Sequence, residues 1–585
     1  MRAILRQALW FGLGAGLLEA AVLSAHHRLI HGFIYLSPHL VWMAPVANIA
    51  WFGIPALLLL LLSRWWPRLR APGVTIGVFS FLAALSMLLI PSQLHRVAAL
   101  VLALGIGIQA GRLLAKRSEG FNGLVRRTVP ILAALVLLLA VGTIGWGIYR
   151  ERRDAKRLGA ARATAPNIVL IVLDTVRRAS LSMYGYQRPT SPAMERWAAR
   201  GVRFEHAFAT ASWTLPSHAG MFTGRLPHEL SAGWLRPLDG TWPTLAETLR
   251  DQGYLTAGFV ANILYCNRSF GLGRGFVHYE DYRIAPGEFL VNASIGRALS
   301  ESHLVRQLVG YHDILSRKSG ESISHAFLEW EARQGDRPWF AFLNYFDAHQ
   351  PFFPPEPDRF GPTRDRALAL LELRPHMGKI EDAEHRLTPG QVEAERNAYD
   401  AALAYLDSQV DLVLTELEQR GKLKNTIVIV TSDHGEQFME HGLFDHGNSL
   451  YRFAIEVPLF LLGPGVPQVS VSDPVSLRDL PATVMDLIGR QSRFPGRSLR
   501  AVWSGTADST VPVMSETSGP SPRRWFKSIV ASNRHAIWSA DSTELYDFAA
   551  DPAEIRTLSG QRAGAEELDS LARTFQRETG QPPRP

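Results

Sequence analysis

Two apolar stretches of this chain each end in an aspartate, and together they constrain the fold more than any other feature. The first is NIVLIVL at 167–173, followed by Asp174; the second is TIVIVTS at 426–432, followed by Asp433 and His434. Runs that are apolar and β-branched throughout are typical of parallel strands buried on both faces. Because ligands of open α/β sheets bind beyond the carboxyl ends of such strands, we predict that these polar residues meet at one edge of a sheet.

A segment with a hydroxyl group lies between the two stretches. The sequence WTLPSH at 213–218 places Thr214 at the head of a predicted helix. A divalent cation held by Asp174, Asp433 and His434 would lower the pKa of a hydroxyl that it contacts. We therefore predict that Thr214 is both a metal ligand and a metal-activated nucleophile. The plainer alternative is that Thr214 only caps its helix.

Asp433 and His434 are the strongest pair of candidate ligands. Adjacent side chains of a regular strand point to opposite faces, so both bind one ion only where the strand ends and turns. Gly435 supplies that irregularity. The predicted cofactor is one divalent metal ion. The imidazole ligand favours manganese or zinc, with calcium and magnesium as alternatives.

Three further histidines are candidate catalytic residues. His349 lies in DAHQPFFPP at 347–355 and His446 in DHG at 445–447, in loops of the kind that often carry function. Histidine titrates near neutral pH, so either side chain is suited to protonate a leaving oxygen. His218 is predicted to hold the surroundings of the nucleophile. For the two loop histidines, a hydrogen bond to the backbone is the structural alternative.

The first 150 residues are strongly apolar and nearly free of acidic side chains. A membrane-spanning helix takes roughly 20 apolar residues. Glu19 lies in the first such segment, where we expect it to reach the interface or a partner in the bundle rather than act in a mechanism. Five segments are predicted to cross the bilayer: 8–24, 40–62, 74–90, 97–114 and 129–149.

Basic residues in the short loops predict the orientation of these segments. With the N-terminus inside, most of the arginines and lysines lie in inner loops, and the outer loops hold only Arg28 and Arg96. The positive-inside rule then places the chain beyond residue 150 outside the cytoplasm. The basic stretch 150–162 on the outer side argues the other way. We predict a multi-pass protein of the cell membrane whose catalytic domain is periplasmic or extracellular.

The chain has 585 residues, which is too many for one core, since domains run about 100 to 200 residues. The net charge of +7 is concentrated around the apolar segments, so the predicted partner is the lipid bilayer and not nucleic acid. No protein partner is predicted, and the lone Cys266 allows no internal disulfide. The predicted divisions are a transmembrane region at 1–150, a charged linker at 151–165, a catalytic domain at 166–470, a C-terminal subdomain at 471–575 and a disordered tail at 576–585.

Seven short stretches, in order along the chain, resemble the sulfatase family of the alkaline phosphatase superfamily. The resemblance implies an α/β sulfatase domain, a mixed sheet between helices, with a small C-terminal α+β subdomain; this domain would follow the predicted five-helix transmembrane bundle. It also implies that His349 and His446 contact the substrate anion. The stretches are Asp174, TLPS at 214–217, DAHQP at 347–351, TSDHGE at 431–436, HGLFDHG at 441–447, VSLRDL at 475–480 and ELYD at 544–547.

Three positions depart from the family pattern. Thr214 stands where sulfatases have a cysteine or serine that becomes formylglycine, and threonine cannot be converted in that way. His218 replaces the usual arginine, and Thr175 replaces a second acid beside Asp174. The threonine members that the chain resembles are lipoteichoic acid synthases and phosphoethanolamine transferases, which share a five-helix anchor. This resemblance implies phosphoryl chemistry.

The sequence therefore predicts a membrane-anchored, metal-dependent enzyme that hydrolyses or transfers a phospho-substituted group through Thr214, on a lipid or cell-envelope substrate. One alternative is a sulfuric ester hydrolase that works without formylglycine. Another is an inactive binding or scaffold protein with the sulfatase fold, because position 218 lacks arginine and position 175 lacks an acid. A channel or transporter has no support, because the apolar segments contain no charged pair.

Overall fold

The chain forms two compact units. The first comprises Met1–Arg153 and Tyr282–Ser316, and the second comprises Asp154–Asp281 and Arg317–Pro585. The division predicted from the sequence places all of 166–470 in the catalytic domain. The structure groups Tyr282–Ser316, which lies within that range, with the first unit. The computed structural model describes residues 1–30, 37–91, 93–162, 164–282, 286–310, 313, 317–366, 387–508, 511–519 and 524–583.

Helices and strands of the described residues are numbered along the chain. The helices are α1 (Arg2–Ile30), α2 (Leu40–Leu62), α3 (Pro72–Leu88), α4 (Arg96–Ala115), α5 (Ser118–Lys156), α6 (Pro192–Ala198), α7 (Thr214–Thr223), α8 (Leu245–Asp251), α9 (Pro286–Asn292), α10 (Ser294–Ser300), α11 (His303–Val309), α12 (Gly320–Glu331), α13 (Pro389–Gln419), α14 (Arg452–Ile455), α15 (Leu480–Leu487), α16 (Leu499–Trp503) and α17 (Arg562–Thr579). The strands are β1 (Asn167–Leu173), β2 (Val202–Phe208), β3 (Leu255–Val260), β4 (His278–Glu280), β5 (Trp339–Tyr345), β6 (Thr426–Thr431), β7 (Gln437–Phe438), β8 (Phe444–Asp445), β9 (Glu456–Leu462), β10 (Val469–Val471), β11 (Val475–Ser476), β12 (Val513–Ser518), β13 (Trp525–Ala531), β14 (Arg534–Ser539) and β15 (Thr543–Asp547).

Helices occupy all five of the predicted apolar segments. The segment at 74–90 corresponds to α3, which has 17 residues and is shorter than a typical span. Helix α5 continues to Lys156, so residues 151–156 are helical and not part of a linker, because Glu, Arg, Ala and Lys are good helix formers. Four helices are long and apolar enough to cross a membrane: Arg2–His26, Leu40–Leu62, Arg96–Ala115 and Ser118–Lys156.

Glu19 is buried in the first unit and bonded to polar groups of other helices. Its carboxylate accepts hydrogen bonds from Nδ2 of Asn48 in α2, at 2.9 Å, and from the backbone N–H and Oγ of Ser294 in α10. Oγ of Ser86 in α3 donates to Oδ1 of Asn48 at 3.3 Å. Glu19 therefore reaches partners within the helical bundle, which is one of the two expected outcomes.

A mixed sheet forms the core of the second unit. Its strand order is β10-β2-β9-β6-β1-β5-β3-β4, and β11 also pairs with β2. Strand β1 is parallel to both β5 and β6, and β3 is parallel to β5. Every residue of β1, β5 and β6 is buried, which is why these sequences are apolar almost throughout. The carboxyl ends of these four strands therefore lie at one edge of the sheet.

The C-terminal region is a smaller antiparallel sheet covered by a helix. Strands β12 to β15 pair in chain order, and Phe575 of α17 packs against Trp538 of β14 with ring centroids 5.8 Å apart. Helix α17 continues to Thr579. Residues 576–579 of the predicted disordered tail are therefore helical, because the apolar face of α17 is buried against the sheet. Residues 584–585 of that tail lie outside the described residues.

Replacing Glu19 by leucine is expected to destabilise the protein more than replacing it by glutamine. Leucine removes the acceptor of one Nδ2 hydrogen of Asn48 and of both donors of Ser294, and each buried donor left unpaired costs about 1–3 kcal/mol. Glutamine retains one acceptor oxygen. The midpoint of thermal unfolding in detergent should fall for Glu19→Leu and remain close to that of the parent protein for the exposed control Leu18→Ala. Equal midpoints for the leucine and glutamine variants would contradict this role of Glu19.

Candidate metal centre and nucleophile

Asp174, Asp433 and His434 converge at the carboxyl edge of the sheet. Asp174 directly follows β1, and the other two follow β6 after a single intervening residue. Because β1 and β6 are parallel neighbours, the three side chains meet, and their ligand atoms lie within 4.8 Å of one another. All three side chains are fully buried. The structure thus brings together the three residues that the sequence predicts to meet.

Thr214 begins helix α7 and contacts this group. Its Oγ1 lies 3.2 Å from Nε2 of His434. The N-cap of α7 is Trp213, so Thr214 is not the capping residue that the plainer alternative requires. Oγ of Ser217 donates to the carbonyl of Asp433 at 2.6 Å, which fixes the first turn of α7 against the loop after β6. The positive end of α7 also favours a negatively charged oxygen or an anionic substrate near Thr214.

The two carboxylates are arranged as ligands of a cation. Oδ1 of Asp174 and Oδ2 of Asp433 are buried and accept no hydrogen bond from the described residues. Burial raises the pKa of Asp174 well above its usual range, and the neighbouring Asp433 raises it further. A divalent cation would offset both effects, since buried charges in proteins are paired or bind metals. Two carboxylates, one imidazole and one hydroxyl therefore fit a single divalent ion.

Backbone amides orient Asp433. Its Oδ1 accepts hydrogen bonds from the N–H groups of Thr175, at 3.1 Å, and His434, at 2.9 Å, which leaves Oδ2 for an ion. Thr175 occupies the position of the missing second acid and has φ 61°. Its hydroxyl lies 2.6 Å from the carbonyl oxygen of Ala348. Thr175 therefore acts on the site through its backbone, and its side chain is bonded elsewhere.

Two asparagines that the sequence analysis did not identify hold Asp174. Nδ2 of Asn262 donates to Oδ2 of Asp174 at 2.8 Å, and Nδ2 of Asn344 approaches the same oxygen at 3.4 Å. Asn344 is the sixth residue of β5, and Asn262 lies two residues after β3. The available signal was a polar side chain at the carboxyl end of each of two buried strands. Both amides engage Oδ2 of Asp174, which leaves Oδ1 open to a cation.

His434 is held in a form that suits a metal ligand. Its Nδ1 lies 3.0 Å from the carbonyl oxygen of Gly435 and donates to it, which leaves the lone pair of Nε2 on the side of Thr214. Burial lowers the pKa of His434 to about 4, so the imidazole is neutral at physiological pH. A neutral ring whose second nitrogen is hydrogen-bonded is the usual state of a histidine that binds a metal.

His218 lies behind the nucleophile within α7. Its Nδ1 is 2.9 Å from the carbonyl oxygen of Thr214 and 3.5 Å from Oδ2 of Asp433. Its Nε2 lies 3.8 Å from Sγ of the buried Cys266. Burial lowers the pKa of His218, which favours a neutral ring. His218 therefore contacts the backbone of the nucleophile and one carboxylate, and its predicted catalytic role stays a prediction.

His446 and His349 are neighbours with opposite protonation preferences. Their ring centroids are 5.1 Å apart, and the ring of His446 lies 4.6 Å from that of His434. Burial would lower the pKa of His446, but Asp445, 2.8 Å from Nδ1, and Glu436 outweigh burial and raise this pKa well above its usual range. Burial lowers the pKa of His349 well below its usual range, and His446 lowers it further. The site thus pairs a cationic His446 with a neutral His349.

Arg317 holds the loop that carries His349. Its guanidinium donates to the carbonyl oxygens of His349, at 2.6 Å, and Pro351, at 2.7 Å, and lies over the ring of Phe346. These hydrogen bonds from Arg317 therefore fix the backbone on both sides of Gln350. Arg317 lies in none of the stretches that resemble the family, so no motif marks it in the sequence.

Buried aromatic rings pack together beside Thr214. Trp213 and Trp234 stack with centroids 3.5 Å apart, and Tyr265 packs edge-on against Trp213. Gly447 has φ +77°, and a Cβ there would lie 2.6 Å from Trp213 and 2.8 Å from Trp234. The glycine after His446 is therefore needed for both its conformation and its lack of a side chain. Trp234 and Tyr265 were not predicted, because their approach depends on the folded loops.

Asn262→Ala is expected to weaken metal binding about 10- to 100-fold, because removing a hydrogen-bond partner of a ligand usually has an effect of that size. Manganese affinity, measured by calorimetry on the purified protein, should show the loss. Asn448→Ala is a suitable control, because Asn448 bonds to Gln437 and not to Asp174. Equal affinity in the Asn262 variant and the parent protein would show that the hydrogen bond from Asn262 does not support Asp174 as a ligand.

Metal binding is expected to strengthen as the pH rises. The raised pKa of Asp174 means that a proton competes with the ion for this carboxylate, and binding must displace that proton. Apparent manganese affinity should therefore increase as the pH is raised through the elevated pKa of Asp174. Calorimetry in buffers of different ionisation enthalpy would detect the released proton. Affinity that is independent of pH, with no proton release, would contradict the assignment of Asp174 as a ligand.

Comparisons with known proteins agree with this geometry. The family model described as Sulfatase matches residues 166–490, more than half of the chain. Arylsulfatase K of Bos taurus is 26% identical over 362 residues, which cover 57% of this chain and 65% of the bovine protein. Choline-sulfatase of Rhizobium meliloti (strain 1021) is 24% identical over 434 residues, covering 68% of this chain and 83% of that protein.

A solved structure has the same fold as the second unit's core. The phosphonate monoester hydrolase of Agrobacterium radiobacter superposes with a TM-score of 0.55 and 20% identity, over 70% of this chain and 94% of that chain. This chain spans just under two thirds of the bovine relative. The matched stretch contains Asp174, Thr214, Asp433 and His434. The chain belongs to the sulfatase family of the alkaline phosphatase superfamily.

Proposed function

We propose that this protein is a membrane-anchored, metal-dependent enzyme that hydrolyses or transfers a phospho-substituted group through Thr214. The proposal rests on the 3.2 Å contact between Oγ1 of Thr214 and Nε2 of His434, beside two buried carboxylates. Asp174, Asp433, His434 and Thr214 would hold one divalent cation. When bound, that cation would supply the positive charge that makes an otherwise weak alcohol nucleophile acidic.

The residues around Thr214 suit attack on phosphorus. Thr214, having given its hydroxyl proton to solvent, would form a bond from its alkoxide oxygen to phosphorus while the bond to the leaving oxygen breaks. His446, which Asp445 and Glu436 keep cationic, would give the leaving oxygen its proton. The neutral His446 would then take a proton from the water or acceptor alcohol that attacks the threonine ester. This second attack restores both Thr214 and the cationic His446.

Phosphoryl transfer fits a threonine nucleophile better than sulfuryl transfer. The family's formylglycine residue releases sulfate by collapse of a geminal diol, but a threonine ester has no second hydroxyl and must be cleared by attack on the bound group. Phosphoryl transfer depends mainly on positioning and charge neutralisation, which the cation site, His446 and the positive end of α7 can supply. We propose manganese or zinc as the ion, because His434 is an imidazole ligand.

The apolar helices of the first unit are proposed to anchor the protein in the cell membrane. Four are long and apolar enough to span it, and we propose that the shorter α3 completes a bundle of five. The distribution of basic residues supports an N-terminus inside and a catalytic unit outside the cytoplasm. An enzyme held at the membrane surface meets lipid headgroups continuously. A lipid or cell-envelope substrate is therefore proposed.

A sulfuric ester hydrolase is the second candidate function. Relatives of this chain carry the names arylsulfatase and choline-sulfatase. The cation site and His446 would also suit a sulfate group. This candidate requires a sulfate ester of Thr214 to be cleared without formylglycine.

Thr214→Ala is expected to lower turnover by at least about 10³-fold, because the nucleophile is lost. Thr214→Ser should retain partial activity. Both variants keep Asp174, Asp433 and His434, so metal content measured by elemental mass spectrometry should remain near that of the parent protein. The assay uses an aryl phosphate, a phosphodiester and an aryl sulfate with manganese present. Turnover of aryl sulfate alone would support the second candidate, and a fully active alanine variant would refute a Thr214 nucleophile.

Protein quenched with acid during turnover is expected to carry a covalent group on Thr214. Peptide mass spectrometry would locate the group, and its mass would identify the transferred moiety. The Thr214→Ala protein provides the blank. A modified residue elsewhere in the site, with Thr214 unmodified, would assign the nucleophile to that residue.

A further inference from the structure

Helices α9 to α11 interrupt the second unit in sequence but belong to the first unit in space. The chain leaves the second unit after Asp281 and returns to it at Arg317. The intervening segment lies inside the stretch that the sulfatase family model matches. A part of the catalytic region of the sequence is therefore packed with the apolar N-terminal helices.

Buried contacts hold this segment on the apolar helices. Phe289 of α9 packs edge-on against Trp42 of α2, with ring centroids 5.9 Å apart. Ser294, the first residue of α10, donates through both its N–H and its Oγ to the buried Glu19 of α1. A serine that satisfies a buried carboxylate is costly to remove, so the contact is specific.

The segment lies at one end of the apolar helices. Trp42 is in the first turn of α2, and Arg96 is the first residue of α4. Arg96 forms an ion pair with Glu301 at 2.9 Å and also donates to the carbonyl of Ala298 at 3.2 Å. Arginines at the ends of membrane-spanning helices lie at the level of the lipid headgroups. The segment from α10 onward therefore lies at the depth of the lipid headgroups, where the apolar helices begin.

Helix α11 exposes apolar side chains that nothing in the described residues covers. Leu304 is 65% exposed, Leu308 is 77% exposed and Val309 is 71% exposed. Leu304 and Leu308 are four residues apart and lie on one face of the helix. In the second unit, by contrast, exposed large apolar residues are scattered singly in the sequence: Leu235, Phe353, Val469, Val511 and Ile555.

We infer that α11 lies in the surface layer of the lipid bilayer, with Leu304 and Leu308 among the acyl chains. Burying these side chains among the acyl chains removes apolar surface from water, and helices that lie in the bilayer interface bind it through such an apolar face. We assign the bilayer, and not another protein, as the partner of this apolar face. The reason is that α11 directly follows α9 and α10, which contact the ends of the membrane-spanning helices. The inference rests on the proposed function in one respect, namely that the apolar helices cross the membrane.

The two ends of the segment are braced together in the second unit. Nζ of the buried Lys318 donates to the carbonyl of Glu280 at 2.7 Å and lies 3.2 Å from its carboxylate. Arg317, the preceding residue, holds the carbonyl of His349. Helix α11 ends at Val309, and Arg317, which holds the His349 loop, follows a few residues later in the sequence.

Spin labels on single introduced cysteines test this inference. Cys266 is the only cysteine and is buried, so an introduced surface thiol is labelled selectively. Leu308→Cys and Leu304→Cys report on α11, and Leu137→Cys reports on an exposed position in the apolar part of α5. Ser570→Cys, on an exposed position of α17, is the aqueous control. The full-length protein is placed in nanodiscs of phosphatidylethanolamine and phosphatidylglycerol, and label collisions with oxygen and with a water-soluble nickel chelate are compared.

Labels at 308 and 304 are expected to collide more with oxygen than with the nickel chelate, as the label at 137 does, whereas the label at 570 shows the reverse. If 308 and 304 behave like 570 while 137 reports lipid, the helices span the membrane and the inference about α11 is overturned. If 137 also reports water, the proposed anchor itself fails and the inference falls with it. Dipolar broadening at 308 that disappears on dilution with unlabelled protein would assign this face to a second copy of the chain, which also overturns the inference. Using two positions on α11 guards against one variant that misfolds.

Discussion

The site depends on two carboxylates held close together, away from water, at the ends of parallel neighbouring strands. The register of β1 and β6 fixes Asp174 and Asp433 at the same edge, and neither strand can shift without exposing a fully buried face. Like charges in a buried site repel strongly unless a cation or protons compensate. The amides of Asn262 and of the backbone bond to these two carboxylates, and His434 lies beside them.

Each carboxylate has one oxygen engaged by the protein and one left open. Asn262 and Asn344 occupy Oδ2 of Asp174, while two backbone amides occupy Oδ1 of Asp433. The open oxygens, together with the lone pair of His434, surround a volume that favours positive charge. His446 adds a second, separate positive region, which Asp445 and Glu436 stabilise. An anion placed between the two regions would be attracted from both sides.

The main ligands were predictable because they follow unmistakable buried strands. Asp174, Asp433 and His434 need only the rule that parallel strands end at a common edge, and Thr214 follows from its helix start and from the family resemblance. Asn262 and Asn344 were not predictable in the same way, because their role depends on which strands are neighbours. The docking of α10 depends on long-range contacts such as that between Ser294 and Glu19, which no local pattern shows. Likewise, the helix at 576–579 forms because Phe575 packs on a sheet built earlier in the chain.

The proposed nucleophile is a side chain that the ribosome installs directly. In sulfatases that use formylglycine, by contrast, the cysteine or serine at this position must be converted after synthesis. Thr214 carries its hydroxyl from synthesis onward, and it is positioned against His434 once α7 and the loop after β6 have folded. If Thr214 is the nucleophile, its side chain needs no conversion. Supply of the correct ion would then set the fraction of molecules that are competent.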